Sequence, residues 1–350
     1  MPLAAKDDRL IKFAAEVANR AQSRVKAVSD ENRGDSPAEQ LDLFVADLLS
    51  YNLKDDVATM EAPLFSLSTI PDMQIWKWTS ADGKKWLEVT PSSIGRATMH
   101  DKDLLIYLSS QLVAAMNTAA RTEVKMPGRR IQFTAHDFMV STGRDTSGAG
   151  YDNFEKTLDR LAGTRLKTNI EIADIDHRTG FGLIESYSCR LKKGRSGKKR
   201  LETIEVTLSE WLYRALERRE ILTINQEYFG LRKPLERRLY ELARKHVGNQ
   251  ADWSIGLDNL LIKTGSKATS KEFTRMLGKI IKNDTLLDYR AAITESARGD
   301  VLIRFYQKDQ KKLALAYKQR EDAKVLAEAK RCRPKRAQPA ARQPERGLFD

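Results

Sequence analysis

Cysteine is nearly absent: Cys189 and Cys332 are the only two in 350 residues. One sits beside a run of bases and the other in a Pro/Arg-rich tail, so neither a disulfide framework nor a cysteine zinc site is expected. A reducing compartment fits, and cytoplasm is the expected location. Acid appears as early as Asp7 and no apolar run is long enough for a signal or a span, so neither export nor a membrane partner is expected.

Histidine is also scarce. His100, His136, His177 and His246 form no His-x-His pair for the metal of a nickase, and none begins a His-x-x-Arg of the tyrosine recombinase kind. No G-x-x-x-x-G-K-[ST] loop is present to cradle a nucleotide, and Gly143 to Gly150 lacks the lysine. No enzyme, no cofactor and no metal are expected.

Positive charge is abundant and local. Cys189 to Arg200 carries seven cations and no acid, and the last twenty residues carry six cations against Glu345 and Asp350. These two stretches hold most of the net charge of +13. Such concentrations favour a polyanionic partner, whereas the nearly balanced remainder reads as an ordinary soluble surface.

Two stretches read alike: Phe133-Thr-Ala-His-Asp-Phe-Met-Val-Ser-Thr-Gly143 and Ile255-Gly-Leu-Asp-Asn-Leu-Leu-Ile-Lys-Thr-Gly265. An amphipathic helix follows each, with Phe154, Leu158 and Leu161 at i, i+4, i+7 in the first and Phe273, Leu277 and Ile280 in the second. A short helix, a glycine turn and a longer helix make a helix-turn-helix. Two copies in a basic chain predict a duplicated module for duplex DNA.

The expected class is α+β: two tandem winged-helix domains, a helical N-terminal arm and a disordered basic C-terminal tail. The predicted divisions are 1–39 (a helix over Asp8 to Val28 and a linker), 40–61, a first winged helix over 62–207, a second over 208–308, and a charged helix with a basic tail over 309–350. Within the first domain, Pro63 to Leu67 reads as β-like, and Asp82-Gly83 turns a hairpin between Ile75 to Trp78 and Trp86 to Val89. A helix is predicted from Asp101 to Thr118, and strands over Arg165 to Ile172, Phe181 to Leu191 and Leu201 to Val206. In the second domain, Pro234 opens a helix closed by Gly248, Thr269 with Glu272 forms a capping box, and a second hairpin turns at Ala297 to Asp300.

The helix from Ser270 to Asn283 places Lys271, Arg275, Lys279 and Lys282 on one face, opposite its apolar stripe, as a recognition helix requires. In the first copy the corresponding face offers Asn153, Lys156, Thr157 and Arg160, diluted by Asp152, Glu155 and Asp159. The cationic wing tip supplies Lys192, Lys193, Arg195, Lys198, Lys199 and Arg200 for phosphate contact. Arg165, Lys167, Lys267 and Arg298 complete the expected DNA-contacting set.

Gln40-Leu41-Asp42-Leu43-Phe44 resembles the peptide with which bacterial proteins dock on the replicative sliding clamp. In that reading Gln40 satisfies a polar rim while Leu41, Leu43 and Phe44 fill an apolar pocket. The same residues also suit the start of a helix, Leu41 to Leu49, packed on the first module.

Glu210-Trp-Leu-Tyr213, Leu222-Thr-Ile-Asn225, Tyr228-Phe229, Lys233-Pro-Leu-Glu-Arg-Arg-Leu-Tyr-Glu-Leu-Ala-Arg-Lys-His246 and Trp253-Ser-Ile255 together resemble the plasmid replication initiator protein A family. The likeness runs upstream through Met60 to Leu67, Asp101 to Tyr107 and Leu158 to Leu161 to the Gln40 peptide, and so covers roughly residues 40 to 306. It implies an initiator that binds repeated double-stranded origin DNA, helps open it, and recruits host factors such as the clamp and the replicative helicase or its loader. It also implies a homodimer in the autoregulatory state. A transcriptional repressor built from the same modules is the alternative.

Overall fold

The computed structural model describes residues 52–170, 180–193 and 199–331. The predicted N-terminal helix, the Gln40 to Phe44 peptide, Arg195, Lys198 and the C-terminal tail lie outside the described residues.

The second module shows most plainly how the sequence folds. Helix α6 (Pro234–Val247) opens with proline at its first turn, where the missing N–H costs nothing. Strand β10 (Asp252–Gly256), α7 (Leu257–Thr264), α8 (Ser270–Asn283), β11 (Tyr289–Glu295) and β12 (Val301–Gln307) follow. Their sheet runs in the order β10-β12-β11, antiparallel throughout. Thr269 caps α8, its hydroxyl accepting from Glu272 N at 3.3 Å. Phe273, Leu277 and Ile280 are all buried, each such side chain contributing at most about 1.5–3 kcal/mol.

The first module repeats this order. Helix α2 (Lys102–Thr122), β4 (Arg130–Thr134), α3 (Ala135–Ser141), α4 (Gly148–Gly163), β7 (Ile184–Lys193) and β8 (Lys199–Leu208) form a sheet ordered β4-β8-β7. Phe154, Leu158 and Leu161 of α4 are buried. Phe154 meets Phe138 of α3 and Phe133 of β4 with ring centroids 5.0 and 6.3 Å apart. The duplicated glycines share a cause: Gly143 and Gly265 both stand in the left-handed region, at φ of 64° and 71°.

Beyond the repeat, the first module carries a second sheet. Strands β2 (Trp76–Thr79), β3 (Trp86–Thr90), β5 (Arg165–Thr168) and β6 (Phe181–Gly182) pair in that order. The strand predicted over Arg165 to Ile172 therefore stands in a different sheet from the wing, which is the β7–β8 hairpin alone. Pro63 to Leu67 forms no extended strand; Ser66 makes a single bridge to Thr98.

The two modules share one hydrophobic cluster. Between them lie β1 (Lys54–Asp56), α1 (Val57–Glu61), α5 (Glu210–Glu217), β9 (Ile221–Thr223) and a 3-10 turn over Gln226–Gly230. Within the unit predicted over 40–61, Leu53, Asp55, Asp56, Thr59, Met60 and Glu61 are buried in this junction. Buried Arg238 of α6 donates to the carbonyls of Met60 and Lys263 at 2.9 Å each and of Glu61 at 3.2 Å. Buried Lys102 of α2 bridges Asp55 of β1 at 2.7 Å and Glu241 of α6 at 2.9 Å. Burial pushes the Asp55 carboxyl up to about 8 against the pull of Lys102. Such charges are tolerated in a core when opposite charges and carbonyls stand this close to them, and Glu241 Oε2 lies 3.5 Å from Arg238 Nη1.

Helix α9 (Gln310–Arg331) leaves the second sheet but stays tied to it. Arg320 pairs with Asp252 at 3.0 Å, and Ala316 is buried.

Candidate nucleic-acid interface

Helix α8 turns its apolar stripe inward and leaves Lys271, Arg275, Lys279 and Lys282 exposed. Among the described residues no carboxylate lies within ion-pair distance of Lys271, Lys279 or Lys282. Arg275 forks onto Glu272 one turn back, at 2.9 Å from Nε to Oε2 and 2.5 Å from Nη2 to Oε1. Both groups are largely exposed, so this pair is worth little and can be exchanged for an anionic partner. Arg275 and Lys279 also border a groove of about 480 Å³ between α8 and the Ser66 to Ser68 segment.

The hairpin turn beyond α8 adds one more free cation. Ser296 Oγ accepts from the amides of Arg298 and Asp300 at 3.1 and 3.0 Å, and Gly299 takes φ of 86°. That turn presents Arg298 to solvent. Lys267 is placed differently, its ammonium 2.9 Å from buried Asp72 and 5.6 Å from the centre of the Trp76 ring. It holds the Asp72 segment against the second module, sharing that carboxylate with buried Arg96 at 3.3 Å.

In the first module the structure divides the predicted contact face. Asn153 and Lys156 are exposed on α4, with Asp152, Glu155 and Asp159 beside them. Thr157 is buried and donates to Asp101 Oδ1 at 2.8 Å. Arg160 gives Nε and Nη2 to the two oxygens of the same carboxylate, both at 2.7 Å. Thr157 and Arg160 thus hold the helix in place and leave the set of free DNA contacts. Asp159 accepts from Tyr187 of β7 at 2.5 Å, which ties α4 to the wing and raises the phenol pKa.

Along the wing, backbone register sets Lys192 against Arg200 and Lys193 against Lys199. Basic residues therefore face one another across the last two rungs before the tip. Arg165 and Lys167 belong instead to the other sheet, where Arg165 donates to Gly180 O at 2.5 Å and Lys167 pairs with Glu88 at 3.6 Å. They are not part of the wing.

Sequence reasoning missed Asp101. It stands 59 residues from Arg160, and no local pattern links the two. Among the described residues no His/Cys/Asp/Glu cluster could hold a metal ion, and no helix is long and apolar enough to cross a membrane.

Two modules of helix, strand, helix, helix and hairpin, each with the same sheet order and one with an outward cationic second helix, define a tandem winged-helix protein. The chain belongs to the replication initiator protein A family, whose profile matches residues 54–291. It is 36% identical over 251 residues to a protein of Wigglesworthia glossinidia brevipalpis provisionally named for replication, across 71% of this chain and 88% of that one. Its fold is similar to domains 2 and 3 of RctB, with a TM-score of 0.50 at 12% identity over 72% of this chain and 98% of that one. The Pi initiator, solved in complex with iteron DNA, is similar at a TM-score of 0.38 and 15% identity over 61% of this chain and 94% of that one.

Proposed function

We propose that this chain initiates plasmid replication by binding repeated origin DNA as a duplex. The α8 helix enters one major groove, α4 approaches a second, and the two wings hold phosphates. The observation that carries the reading is the outward face of α8, where Lys271, Lys279 and Lys282 lack carboxylate partners among the described residues. Two modules on one chain can read a site without a second copy, unlike a single helix-turn-helix. The protein performs no chemistry on its DNA in this reading, so supercoiled origin DNA stays intact in its presence with or without divalent metal.

Replacing Lys279 or Lys282 by Gln should weaken binding to all duplexes and lower the salt slope by about 0.9 for each phosphate no longer neutralised. Arg275→Gln should instead change sequence preference. The division of roles fails if both classes show the same salt signature and the same sequence preference. Footprinting on the DNA flanking the gene separates initiator from repressor, because ordered direct repeats support the first and a single inverted repeat the second.

The Gln40 to Phe44 peptide extends the proposal to recruitment of the host sliding clamp, and the family membership extends it to the replicative helicase or its loader and to an autoregulatory dimer. Pull-down with purified clamp should be abolished by Leu43→Ala and Phe44→Ala, and an unchanged pull-down would remove the clamp from the proposal.

A further inference from the structure

The ribbon that joins the two modules carries positive charge that the DNA-facing surfaces do not use. Strands β1 and β9 pair antiparallel with Lys54 opposite Thr223. The Lys54 ammonium donates to Thr223 Oγ1 at 2.6 Å, which leaves the Thr223 hydroxyl proton free to be donated onward. From α6, Arg244 Nε donates to Thr223 O at 2.6 Å. Arg219 stands just before β9 in the left-handed conformation, exposed, at φ of 60°. The adjoining amide hydrogen bond, Val57 N to Glu220 O at 3.1 Å, fixes this turn against the end of β1.

Among the described residues no carboxylate lies within ion-pair distance of Lys54, Arg219 or Arg244. Three of the neighbouring acids are committed elsewhere. Asp55 serves Lys102. Asp56 caps α1, accepting from Thr59 N at 2.7 Å and Thr59 Oγ1 at 2.6 Å. Asp288 accepts from Asn225 at 2.6 Å and Tyr240 at 2.9 Å. The cost of the arrangement falls on Lys54, whose pKa is lowered by burial first and then by the charges of Arg219 and Arg244. Unlike the Lys102 cluster, this one is uncompensated, although acids stand within two residues of it in the chain.

We infer that Lys54, Arg219, Thr223 and Arg244 form a binding site for a phosphate group on the ribbon between the two winged helices. Two ammonium hydrogens, a hydroxyl and two guanidinium groups offer the donors that tetrahedral phosphate oxygens accept. A phosphate held there bridges β1, β9 and α6, and so stiffens the junction between modules. Its source is either a free phosphate or monoester, or a backbone phosphate of DNA. The site does not depend on the proposed groove contacts of α4 and α8.

Titration of the full chain with inorganic phosphate, at ionic strength held constant with chloride, tests this by the shift in thermal midpoint and by phosphorus NMR line broadening. The expected result is saturable binding that weakens at least tenfold in Arg219→Gln and in Lys54→Gln. Lys77→Gln, on the exposed β2 edge, should bind as the wild type does. Arg219 is exposed, so its variant keeps the test informative even where Lys54→Gln folds poorly. A midpoint that moves no further than with chloride, or phosphate binding unchanged in Arg219→Gln, overturns the site. A second arm measures the salt slope on an unrelated duplex. A slope lowered by about one in Arg219→Gln identifies the occupant as DNA backbone, and an unchanged slope alongside abolished phosphate binding identifies a free phosphate or monoester.

Discussion

Arg160 of α4 and Asp101 at the start of α2 form a forked pair, two guanidinium nitrogens on two carboxylate oxygens at 2.7 Å each. Thr98 adds donors from N at 2.8 Å and Oγ1 at 2.9 Å, so the carboxylate is saturated with hydrogen bonds in a buried position. A residue that reads in the sequence as a DNA contact is therefore the anchor of the helix that carries the contacts.

Removing Arg160 leaves a buried charge with only neutral partners. Arg160→Ala should destabilise the protein by about 3 kcal/mol or more, measured by urea unfolding. For the variant that remains folded, the DNA salt slope should match wild type, because Arg160 neutralises Asp101 rather than a phosphate. A reduced slope would return Arg160 to the interface.

Gly265 is constrained twice. Its φ of 71° disfavours any side chain, and a Cβ would lie 2.4 Å from Pro63 Cβ across the module junction. Gly265→Ala should cost more than about 1 kcal/mol, whereas Gly143→Ala, with open space around it, should cost only its backbone share. Equal losses in the two variants would show that Pro63 yields freely.

The buried charges between modules predict joint unfolding. Trp78 reports on the first module and Trp253 on the second, and Trp78 Nε1 already donates to Ile262 O at 3.0 Å across the junction. Denaturant transitions followed at each tryptophan should coincide. Arg238→Met should lower both together by about 3 kcal/mol, since it strips the carbonyls of Thr59, Met60, Glu61 and Lys263 of a donor and leaves Glu241 less compensated. Separate transitions would show that the shared core does not couple the modules.

Acid should weaken the same junction through Glu61. Burial raises its carboxyl, but hydrogen bonds from Lys245 and Lys263 outweigh that and hold it well below the usual value of 4.5. A folded pKa below the unfolded one gives stability that is present above about pH 4.5 and is lost as pH falls further. The stability difference between wild type and Glu61→Gln should therefore shrink from pH 7 to pH 3 in urea titrations. A constant difference would place the contribution of Glu61 in packing alone.

Periodicity exposed the two winged helices because the buried residues of α4 and α8 recur every turn, and the glycines after α3 and α7 occur where the backbone turns left-handed. The capping residue Thr269 and the hairpin signal Asp82-Gly83 are equally local. Arg165 and Lys167 misled because a strand's sequence shows that it pairs without showing with which sheet. Pro63 to Leu67 misled because apolar, β-prone residues also suit an irregular segment packed beneath a second module.

The sequence by itself determined the elements and their repetition, since each depends on spacing within a few residues, and it determined the basic character of α8 and the wing. Only the tertiary structure decided which charges are free. Asp101 reaches Arg160, Asp72 reaches Lys267 and Glu88 reaches Lys167 across distant parts of the chain. Lys279 and Lys282 meet no such partner among the described residues. A cation's availability depends on what the fold brings within a few ångströms of it, and linear spacing carries no record of that.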